Sequence, residues 1–428
     1  MVNSITDPLT LPCGVRLKNR LVKAAMTEGL ADRRNRSTPR LENLYRRWAQ
    51  GGAGALVTGN VQVDRRYLER PGNIAIDGPQ DDTAMRALER LAGASADTGA
   101  EIFVQLSHAG RQTPKYINKR PVAPSDVALQ LPGGQFGAPR ALTHEEIEDV
   151  IDRFALAASV CKAAGFAGVQ IHGAHGYLIS EFLNPIANRR SDDWGGGLDN
   201  RARLLMRVVS AVRAKVGSGF PVAVKLNSSD FQKGGFSFDE CLQVIEWLNE
   251  VGIDFLEISG GSYEQPKMMD IEGMEPPENE RASTKAREAY FLAYADEAAR
   301  VAKMPLMVTG GFRSRDAIDE ALHSGAADLV GLARPLCVDP DICAKLLSGE
   351  ADAAPRSEKT LRLGEGYLGP KSANNLIRAL NGFAVMAYFY ENICRLADGG
   401  RAREDLALLP AFLGHQLSER RMASRLQR

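Results

Sequence analysis

The stretch LMVTGGFRSRDAIDEALHSGAADLVGL, residues 306–332, contains the unit from which the fold can be predicted. Two short apolar runs, Leu306–Thr309 and Leu329–Leu332, flank a segment of helical character that begins near Ser314. Strands whose residues are nearly all apolar are buried on both faces, as the strands of parallel sheets are. The stretch therefore predicts a strand, a helix and a second strand that runs parallel to the first.

The same alternation of an apolar run and a helical segment recurs along the chain. The other apolar runs are Leu21–Met26, Ala55–Gly59, Ile102–Leu106, Gly168–Ile171, Val222–Leu226 and Phe255–Ile258. Two of the intervening helices begin with the pattern of a capping box, Thr143 with Glu146 and Ser237 with Glu240. Eight strand–helix units in series favour a closed (β/α)8 TIM barrel of the α/β class.

An open, doubly wound sheet is the alternative arrangement of such units. A dinucleotide-binding turn would follow a strand and open a helix, whereas the Gly-rich stretch Gly51–Gly54 follows a helix and precedes a strand. We therefore expect a barrel over residues 1–350 and a C-terminal helical extension over residues 351–428. The apolar residues around Phe383 and Phe389 would form an exposed patch unless this extension packs on the barrel or on a neighbouring subunit, so a homo-oligomer stays open.

The composition and charge of the chain exclude several classes of protein. Its 428 residues include 53 basic and 53 acidic side chains, so net charge gives it no attraction to nucleic acid or to an anionic membrane. The six cysteines include no C-x-x-C pair, which disfavours a structural zinc or an iron–sulfur cluster. The N-terminus lacks the pattern of a signal peptide, and the apolar stretch Leu376–Leu396 contains charged residues. We expect a cytoplasmic protein with reduced cysteines, no membrane span and no bound metal.

The functional residues of a (β/α)8 barrel lie at the C-terminal ends of its strands. The fourth run leads into IHGAHGY, residues 171–177, which places two histidines and a tyrosine in one loop. The imidazoles of His172 and His175 can bind one carbonyl oxygen and stabilise the negative charge that develops on it, while the phenol of Tyr177 can deliver a proton. A zinc pair or a packed structural loop is the alternative, and zinc would need a third protein ligand.

Two loops with small residues follow the seventh and eighth runs. VTGGF contains Gly310 and Gly311, and GLAR ends in Ala333 and Arg334. In barrels these two loops commonly form a phosphate site, where small residues let backbone N–H groups approach an anion and an arginine can bind it through two hydrogen bonds. Two ordinary tight turns are the alternative.

Two polar residues near strand ends are expected to point into the mouth of the barrel. The amide of Gln105 can both donate and accept hydrogen bonds, which suits the edge of a heteroaromatic ring, and Lys225 can neutralise a ring that gains negative charge. A satisfied core amide and a salt bridge to an acidic loop residue are the respective alternatives. The polar segment Glu181–Arg203 is interpreted as a hydrogen-bonded loop that holds the histidine loop in place.

These motifs, in this order, resemble those of the old yellow enzyme family of FMN-dependent ene reductases and NAD(P)H:flavin oxidoreductases. The resemblance covers about residues 5–350. Its segments are LKNRLVKAAMT at 17–27, FVQLSHAGRQ at 103–112, the stretch from IHGAHGY to RVV at 171–209, and VTGG followed by DLVGLARPL. The combination is specific to the family, whereas each segment alone is not.

The resemblance implies a (β/α)8 barrel that binds FMN at the C-terminal ends of its strands and uses NAD(P)H as reductant. For the flavin ring it implies Ala24, Ala25, Met26, Thr27, Gly59, Gln105 and Lys225, and for the phosphate Gly310, Gly311, Ala333 and Arg334. It also implies that His172 and His175 bind the carbonyl oxygen of an electron-poor alkene, such as an α,β-unsaturated carbonyl compound, and that Tyr177 supplies the proton.

The sequence departs from the family pattern at three places. Many relatives have arginine where Lys225 stands, a proline that is common in the first strand is Ala25 here, and Glu28-Gly29 lacks an aromatic residue that lies near the substrate in some relatives. These departures leave the substrate range open. An enzyme of the same fold that passes electrons to oxygen, a quinone or another flavin is one alternative function, and a non-catalytic flavin-binding barrel is another.

Overall fold

The structure, a computed structural model, describes residues 3–129, 134–259 and 294–426, and eight parallel strands in these residues form a barrel. In chain order they are Leu21–Lys23 (β1), Ala55–Val57 (β2), Glu101–Ser107 (β3), Gly168–Gly173 (β4), Val222–Asn227 (β5), Phe255–Ser259 (β6), Leu306–Thr309 (β7) and Leu329–Leu332 (β8). Each strand pairs with the next, and β8 pairs with β1, so the sheet closes on itself. The predicted (β/α)8 TIM barrel is confirmed, and the open sheet is not formed.

Helices follow the strands and cover the outside of the barrel. They are Pro39–Gln50 (α1), Asp82–Ala92 (α2), His144–Ala163 (α3), Leu198–Val216 (α4), Phe238–Val251 (α5), residues 294–301 (α6), Arg315–His323 (α7) and Ile342–Ser348 (α8). The predicted capping boxes of Thr143 with Glu146 and of Ser237 with Glu240 are both formed, at the starts of α3 and α5. The predicted start of α6, near Ala286, lies outside the described residues.

Side chains inside the barrel form an apolar layer towards the N-terminal ends of the strands. The layer contains Val22, Ala55, Phe103, Ala223, Phe255, Met307 and Leu329. Within it the rings of Phe103 and Phe255 meet edge to face, with their centroids 5.4 Å apart. Because successive residues of a strand point to opposite faces, the residues two positions further along these strands lie on the same inner face and nearer to the mouth.

One charged residue, Lys23, lies fully buried between β1 and α1. Its Nζ donates to the carbonyl oxygen of Val57 at 2.7 Å and to the hydroxyl of Tyr45 at 3.2 Å, and it lies 4.5 Å from the ring centroid of Trp48. Burial lowers the pKa of Lys23 to about 8. The lysine therefore joins β1, β2 and α1 through polar contacts in an otherwise apolar layer.

The first strand is shorter than the apolar run Leu21–Met26 predicts. The N–H of Ala24 donates to the carbonyl oxygen of Leu332, the last residue of β8, at 2.8 Å, and pairing with β2 ends at Lys23. Both neighbouring strands end here, so the residues after Ala24 have no partner for a ladder. They are instead crossed closely by the next loop, where a Cβ on Gly59 would lie 2.3 Å from the carbonyl oxygen of Met26.

Two further expectations concern the cysteines and the membrane. All six cysteines are unpaired thiols, as predicted. None of the helices in the described part of the chain combines the length and the apolar character that a membrane span needs.

The residues after α8 pack on the barrel through two helices, Asn375–Ala397 (α9) and Leu408–Ala423 (α10). α9 packs against α1, and Arg40 of α1 pairs with Asp398 through two hydrogen bonds of 2.6 and 2.9 Å. Packing on the barrel was one of the two predicted alternatives for this extension. The division of the chain at residue 350 and the homo-oligomer stay predictions.

The extension also reaches the C-terminal face of the barrel, where it encloses Arg70 in the loop after β2. The guanidinium carbon of Arg70 lies 3.9 Å from the ring centroid of Tyr390, and its Nη2 lies 3.2 Å from Nε2 of His415. Glu419 of α10 lies 3.7 Å from Nε of the same arginine. Side chains of both α9 and α10 therefore hold a loop that borders the mouth.

We expect Phe389→Ala to lower the free energy of unfolding by about 3 kcal/mol or more, because it deletes a ring that is 4% exposed in α9. Phe383→Ala is the matched control, since this ring of the same helix is 38% exposed and its loss should cost less than about 1 kcal/mol. Urea unfolding of both variants measures the difference. Equal losses at the two positions would contradict the packing of α9 on the barrel.

Candidate active site

The histidine loop begins inside the barrel wall. His172 lies within β4 rather than beyond it, because its backbone still pairs with that of Lys225 in β5. It shares the inner face with Gln170, which precedes it by two positions. The prediction that the strand ends at Ile171 is wrong by two residues, and His172 is consequently anchored by the sheet.

His172, His175 and Tyr177 come together at the mouth. The ring centroid of His172 lies 5.1 Å from that of His175 and 4.9 Å from that of Tyr177, both in edge-to-face arrangements. His175 has a φ of 61°, in the left-handed region, and so turns the chain sharply after β4. The structure thus places beside one another the three residues that the sequence singled out.

Both imidazoles are neutral near pH 7. Burial, followed by the influence of His175 and Lys225, lowers the pKa of His172 well below its usual value, and burial followed by Lys225 does the same for His175. The N–H of Ala174 donates to Nδ1 of His172 at 3.3 Å, so the single proton of this neutral ring is on Nε2. A neutral imidazole that carries an N–H can donate to a substrate oxygen without adding a full charge.

Hydrogen bonds from neighbouring strands and loops hold this arrangement. Nε2 of His175 lies 2.7 Å from Oγ of Ser259 at the end of β6, and its backbone N–H donates to Oδ1 of Asn227 at 3.2 Å. Gln112 donates from Nε2 to the carbonyl oxygen of His175 at 2.9 Å. The loops after β3 and β4 and the ends of β5 and β6 are therefore joined at His175.

The segment that follows the histidine loop supports it from outside. Glu181 accepts a hydrogen bond from the backbone N–H of Arg111 at 2.9 Å, which ties the loop after β3 to the loop after β4. Asn188 donates to the carbonyl oxygens of Phe182 and Trp194, both at 2.8 Å. These contacts agree with the interpretation of residues 181–203 as a hydrogen-bonded support.

A chain of four buried polar side chains lies above the apolar layer of the barrel. Gln105 donates from Nε2 to Oε1 of Gln170, and Gln170 donates from Nε2 to Oε2 of Glu257, both at 2.7 Å. Oε1 of Glu257 lies 2.7 Å from Nζ of Lys225. The predicted alternative of a salt bridge is therefore present for Lys225, although its partner is a strand residue and not a loop residue. The amide of Gln105 is bonded through its Nε2, which meets the alternative of a satisfied amide only in part.

The loops after β7 and β8 present unused hydrogen-bond donors. Gly310 and Gly311 have φ values of 121° and 82°, which side chains rarely tolerate. Among the described residues, no protein acceptor receives the backbone N–H of Gly310, Gly311 or Ala333. The buried hydroxyl of Thr309 likewise has no partner there. Such a group of donors is suited to an anion.

Two arginines beside these loops share one carboxylate of the extension. Nη2 of Arg313 lies 2.8 Å and Nη2 of Arg334 lies 4.0 Å from Oε1 of Glu358. Burial lowers the pKa of Arg334 to about 10. Burial alone would raise the pKa of Glu358, but the charges of Arg334 and Arg313 lower it below its usual value. Two cations therefore lie beside these loops and against the same carboxylate.

The residues implied to line the flavin after β1 lie beside the loop after β8, because β8 pairs with β1. Ala24 is fully buried and belongs to the inner layer, while Ala25, Met26 and Thr27 are partly exposed. Gly59 lies against Met26 and donates its N–H to Glu28 at 2.9 Å. This close packing alone requires a glycine at position 59, so that glycine is not independent evidence for a ligand.

The described residues fit the FMN that the resemblance implies. The unused N–H groups of Gly310, Gly311 and Ala333 can receive a phosphate, and the inner-face residues Gln105 and Lys225 offer a polar edge to a ring. Within the described ranges, no three His, Cys, Asp or Glu side chains converge as a metal site would require, so the histidine loop has no third zinc ligand there.

Several functional candidates were missed by sequence reasoning. Glu257 and Gln170 had a weak signal, since each is a polar residue within an apolar run. Ser259 had none, because its contact with His175 depends on the register between distant strands. Glu358 had none either, because it lies in the extension.

Known proteins share both the sequence and the fold. A sequence model described as the NADH:flavin oxidoreductase / NADH oxidase family matches residues 4–353. The NADH-dependent flavin oxidoreductase iliE of Hypocrea jecorina is 42% identical over 351 residues, which cover 78% of this chain and 86% of that protein. The structure of the old yellow enzyme homologue from Zymomonas mobilis has a TM-score of 0.68 and 27% identity, and the match covers 82% of this chain and 94% of that one.

A more distant relative matches further along the chain. The NADH oxidase of Thermoanaerobacter brockii is 32% identical over 414 residues, which cover 94% of this chain. This chain spans only 60% of the length of that relative.

We expect the stability of the protein to fall in acid partly through His108, which follows β3 and is 2% exposed. Burial lowers its pKa from 6.5 to about 4, so between these values the unfolded chain binds a proton that the folded protein does not. The free energy of unfolding should therefore decrease by about 3 kcal/mol through this residue as the pH falls from 6.5 to 4.

The variant His108→Gln should lose this part of the pH dependence, and the exposed His323→Gln should keep it. Urea unfolding at a series of pH values measures both slopes. A slope in His108→Gln equal to that of the unmodified protein would contradict the assignment.

Proposed function

The chain belongs to the NADH:flavin oxidoreductase / NADH oxidase family, which includes old yellow enzyme, and from this premise we propose that it is an FMN-dependent ene reductase. Its substrates would be electron-poor alkenes, such as α,β-unsaturated carbonyl compounds, and its reductant NADH or NADPH. The observation that carries this proposal is the group of two neutral imidazoles and a phenol at the end of β4.

The residues proposed to hold FMN lie on two sides of the mouth. Gly310, Gly311, Ala333 and Arg334 would bind the phosphate, supported by the unused N–H groups of the first three residues and by the position of Arg334 directly after β8. The ring would lie against Ala24, Ala25, Met26, Thr27, Gly59, Gln105 and Lys225. When bound, FMN supplies the hydride chemistry, which no side chain of the protein can provide.

The protein's own contribution is to bind the substrate oxygen and to protonate carbon. His172 and His175 would donate hydrogen bonds to the carbonyl oxygen, and these bonds strengthen as that oxygen gains negative charge. Neutral imidazoles suit this task, because they retain a donor N–H without a charge that would bind anions in the ground state. Tyr177 would then give its phenolic proton to the substrate's α-carbon.

Reduction of oxygen or of a quinone is a second candidate function. It is favoured by one observation, namely that the match to the NADH oxidase of Thermoanaerobacter brockii extends over 94% of this chain and so includes most of the extension. The two candidates differ in their need for Tyr177, since an electron acceptor of this kind needs no proton on carbon.

The charge and the cysteines of the chain bear on where the protein works in the cell. The zero net charge and the unpaired cysteines support a small-molecule enzyme of a reducing compartment, the cytoplasm, with no nucleic-acid partner.

The experiment that tests the cofactor is direct. The purified protein should be yellow, and heat should release a flavin that chromatography identifies as FMN. A colourless protein that takes up no added FMN would refute the proposal. Anaerobic turnover of a simple enone with NADH or NADPH then separates alkene reduction from the oxidase alternative.

We expect Tyr177→Phe to slow the alkene half-reaction by roughly 100-fold or more, the usual effect of losing a positioned acid. Reduction of the enzyme by NADH or NADPH should remain nearly unchanged, because that step needs no proton on carbon. Stopped-flow traces of the two half-reactions measure the effects separately.

The matched control is Tyr116→Phe, a half-exposed tyrosine of the neighbouring loop, which should leave both half-reactions unchanged. Slower flavin reduction with intact alkene reduction in Tyr177→Phe would show that the assignment is wrong.

A further inference from the structure

The four polar side chains inside the barrel form one continuous chain of contacts. It runs from Gln105 through Gln170 and Glu257 to Lys225, with each contact 2.7 Å long. All four residues are at most 2% exposed, so water does not compete for these contacts. The two ends, Gln105 and Lys225, are the residues proposed above to contact the flavin ring.

The carboxylate of Glu257 fixes the direction of the two amide hydrogen bonds in this chain. An ionised carboxylate only accepts, so the amide of Gln170 must turn its Nε2 towards Glu257. Its Oε1 then faces Gln105, which must donate from Nε2. The oxygen of Gln105 is thereby turned away from Gln170 and available as an acceptor for a ring N–H.

The same carboxylate also sets the charge at the other end of the chain. Opposite unit charges 2.7 Å apart act on a nearby ring as a dipole and not as a single cation. If Lys225 alone were removed, Glu257 would remain as a buried anion without its cation. The electrostatic effect on a ring at this site therefore depends on the pair.

We infer that Glu257 is a positioning residue of the cofactor site, which sets through Lys225 the charge, and through Gln170 the hydrogen-bond direction, that the protein presents to the flavin. This inference rests on the proposed function and extends it to two residues outside the set implied by the family resemblance. Its distinctive consequence is that the loss of Lys225 can be repaired by a second loss at position 257.

The test measures how strongly each variant binds oxidised and reduced FMN, through fluorescence titration and the reduction potential of the holoprotein. In Lys225→Met, binding of reduced FMN should weaken at least about tenfold more than binding of oxidised FMN, because the unpaired carboxylate repels the electron-rich ring. For a two-electron couple this ratio lowers the potential by about 30 mV. In Glu257→Gln the effect should be opposite, so that the affinity for reduced FMN rises at least about threefold relative to the affinity for oxidised FMN.

The decisive variant is the double substitution Lys225→Met with Glu257→Gln, which restores a neutral site. Its ratio should return to within about threefold of the unmodified protein, although the lysine is absent. A double variant whose ratio of affinities for reduced and oxidised FMN stays at the value of Lys225→Met would overturn the inference. If Glu257→Gln fails to fold, Lys225→Met with Glu257→Met replaces it, since an apolar pair is often tolerated in place of a buried ion pair.

The matched control is Asp254→Asn, which breaks another largely buried ion pair, that with Arg213, just before β6 and away from the mouth. It should leave the ratio unchanged, whereas a shift equal to that of Glu257→Gln would indicate a general effect of destabilisation and overturn the inference. An unmodified protein that binds no FMN would refute the proposed function and this inference together. A protein that binds FMN but whose Glu257 variants show no shift would refute this inference alone.

Discussion

The pairing of β8 with β1 is the interaction on which the rest of the structure depends. It leaves none of the eight barrel strands with a free edge, and the residues of each barrel strand alternate between the inside of the barrel and the helical layer outside. The position of a residue within its strand then decides how far from the mouth its side chain lies inside the barrel. Phe103 lies in the apolar layer and Gln105 lies in the polar layer above it, only because two positions separate them.

At the mouth, the wall of strands is joined to the histidine loop after β4, where His175 forms hydrogen bonds with the loop after β3 and with the ends of β5 and β6. The charges of the mouth are arranged in balanced groups: the buried pair of Lys225 and Glu257, and two neutral histidines above it. On the side formed by the loops after β7 and β8, Arg313 and Arg334 both lie near the carboxylate of Glu358, and the backbone N–H groups of Gly310, Gly311 and Ala333 have no protein acceptor among the described residues. The donors suited to an anion therefore lie on this side, and the region around the neutral histidines is suited to an uncharged carbonyl group.

Much of this architecture could be predicted from the sequence, because an apolar run of strand length is a local signal. All eight runs are strands, and both capping boxes begin helices. The errors lie where a neighbour decides the outcome. The first strand ends at Lys23 because both adjacent strands end there, and β4 continues to Gly173 because β5 still pairs with it.

In the candidate site, too, the features with a local sequence signal could be predicted and those that depend on distant residues could not. The histidine loop and the two phosphate loops were recognisable, since each is a contiguous motif. The contacts of Gln170 with Glu257 and of His175 with Ser259 join residues more than 80 positions apart, and no local pattern predicts them. The roles assigned to Tyr177 and to the flavin-facing residues stay predictions.

The contact between α1 and the extension has a consequence for how the protein is made. Arg40 and Asp398 are 358 residues apart, and Arg70 and His415 are 345 apart. During synthesis, α1 and the loop after β2 leave the ribosome long before the residues that cover them exist. The first quarter of the barrel must therefore wait, with apolar surface uncovered, for nearly the whole chain to be translated. Such a nascent chain depends on slow, long-range closure and is the kind of intermediate that chaperones bind.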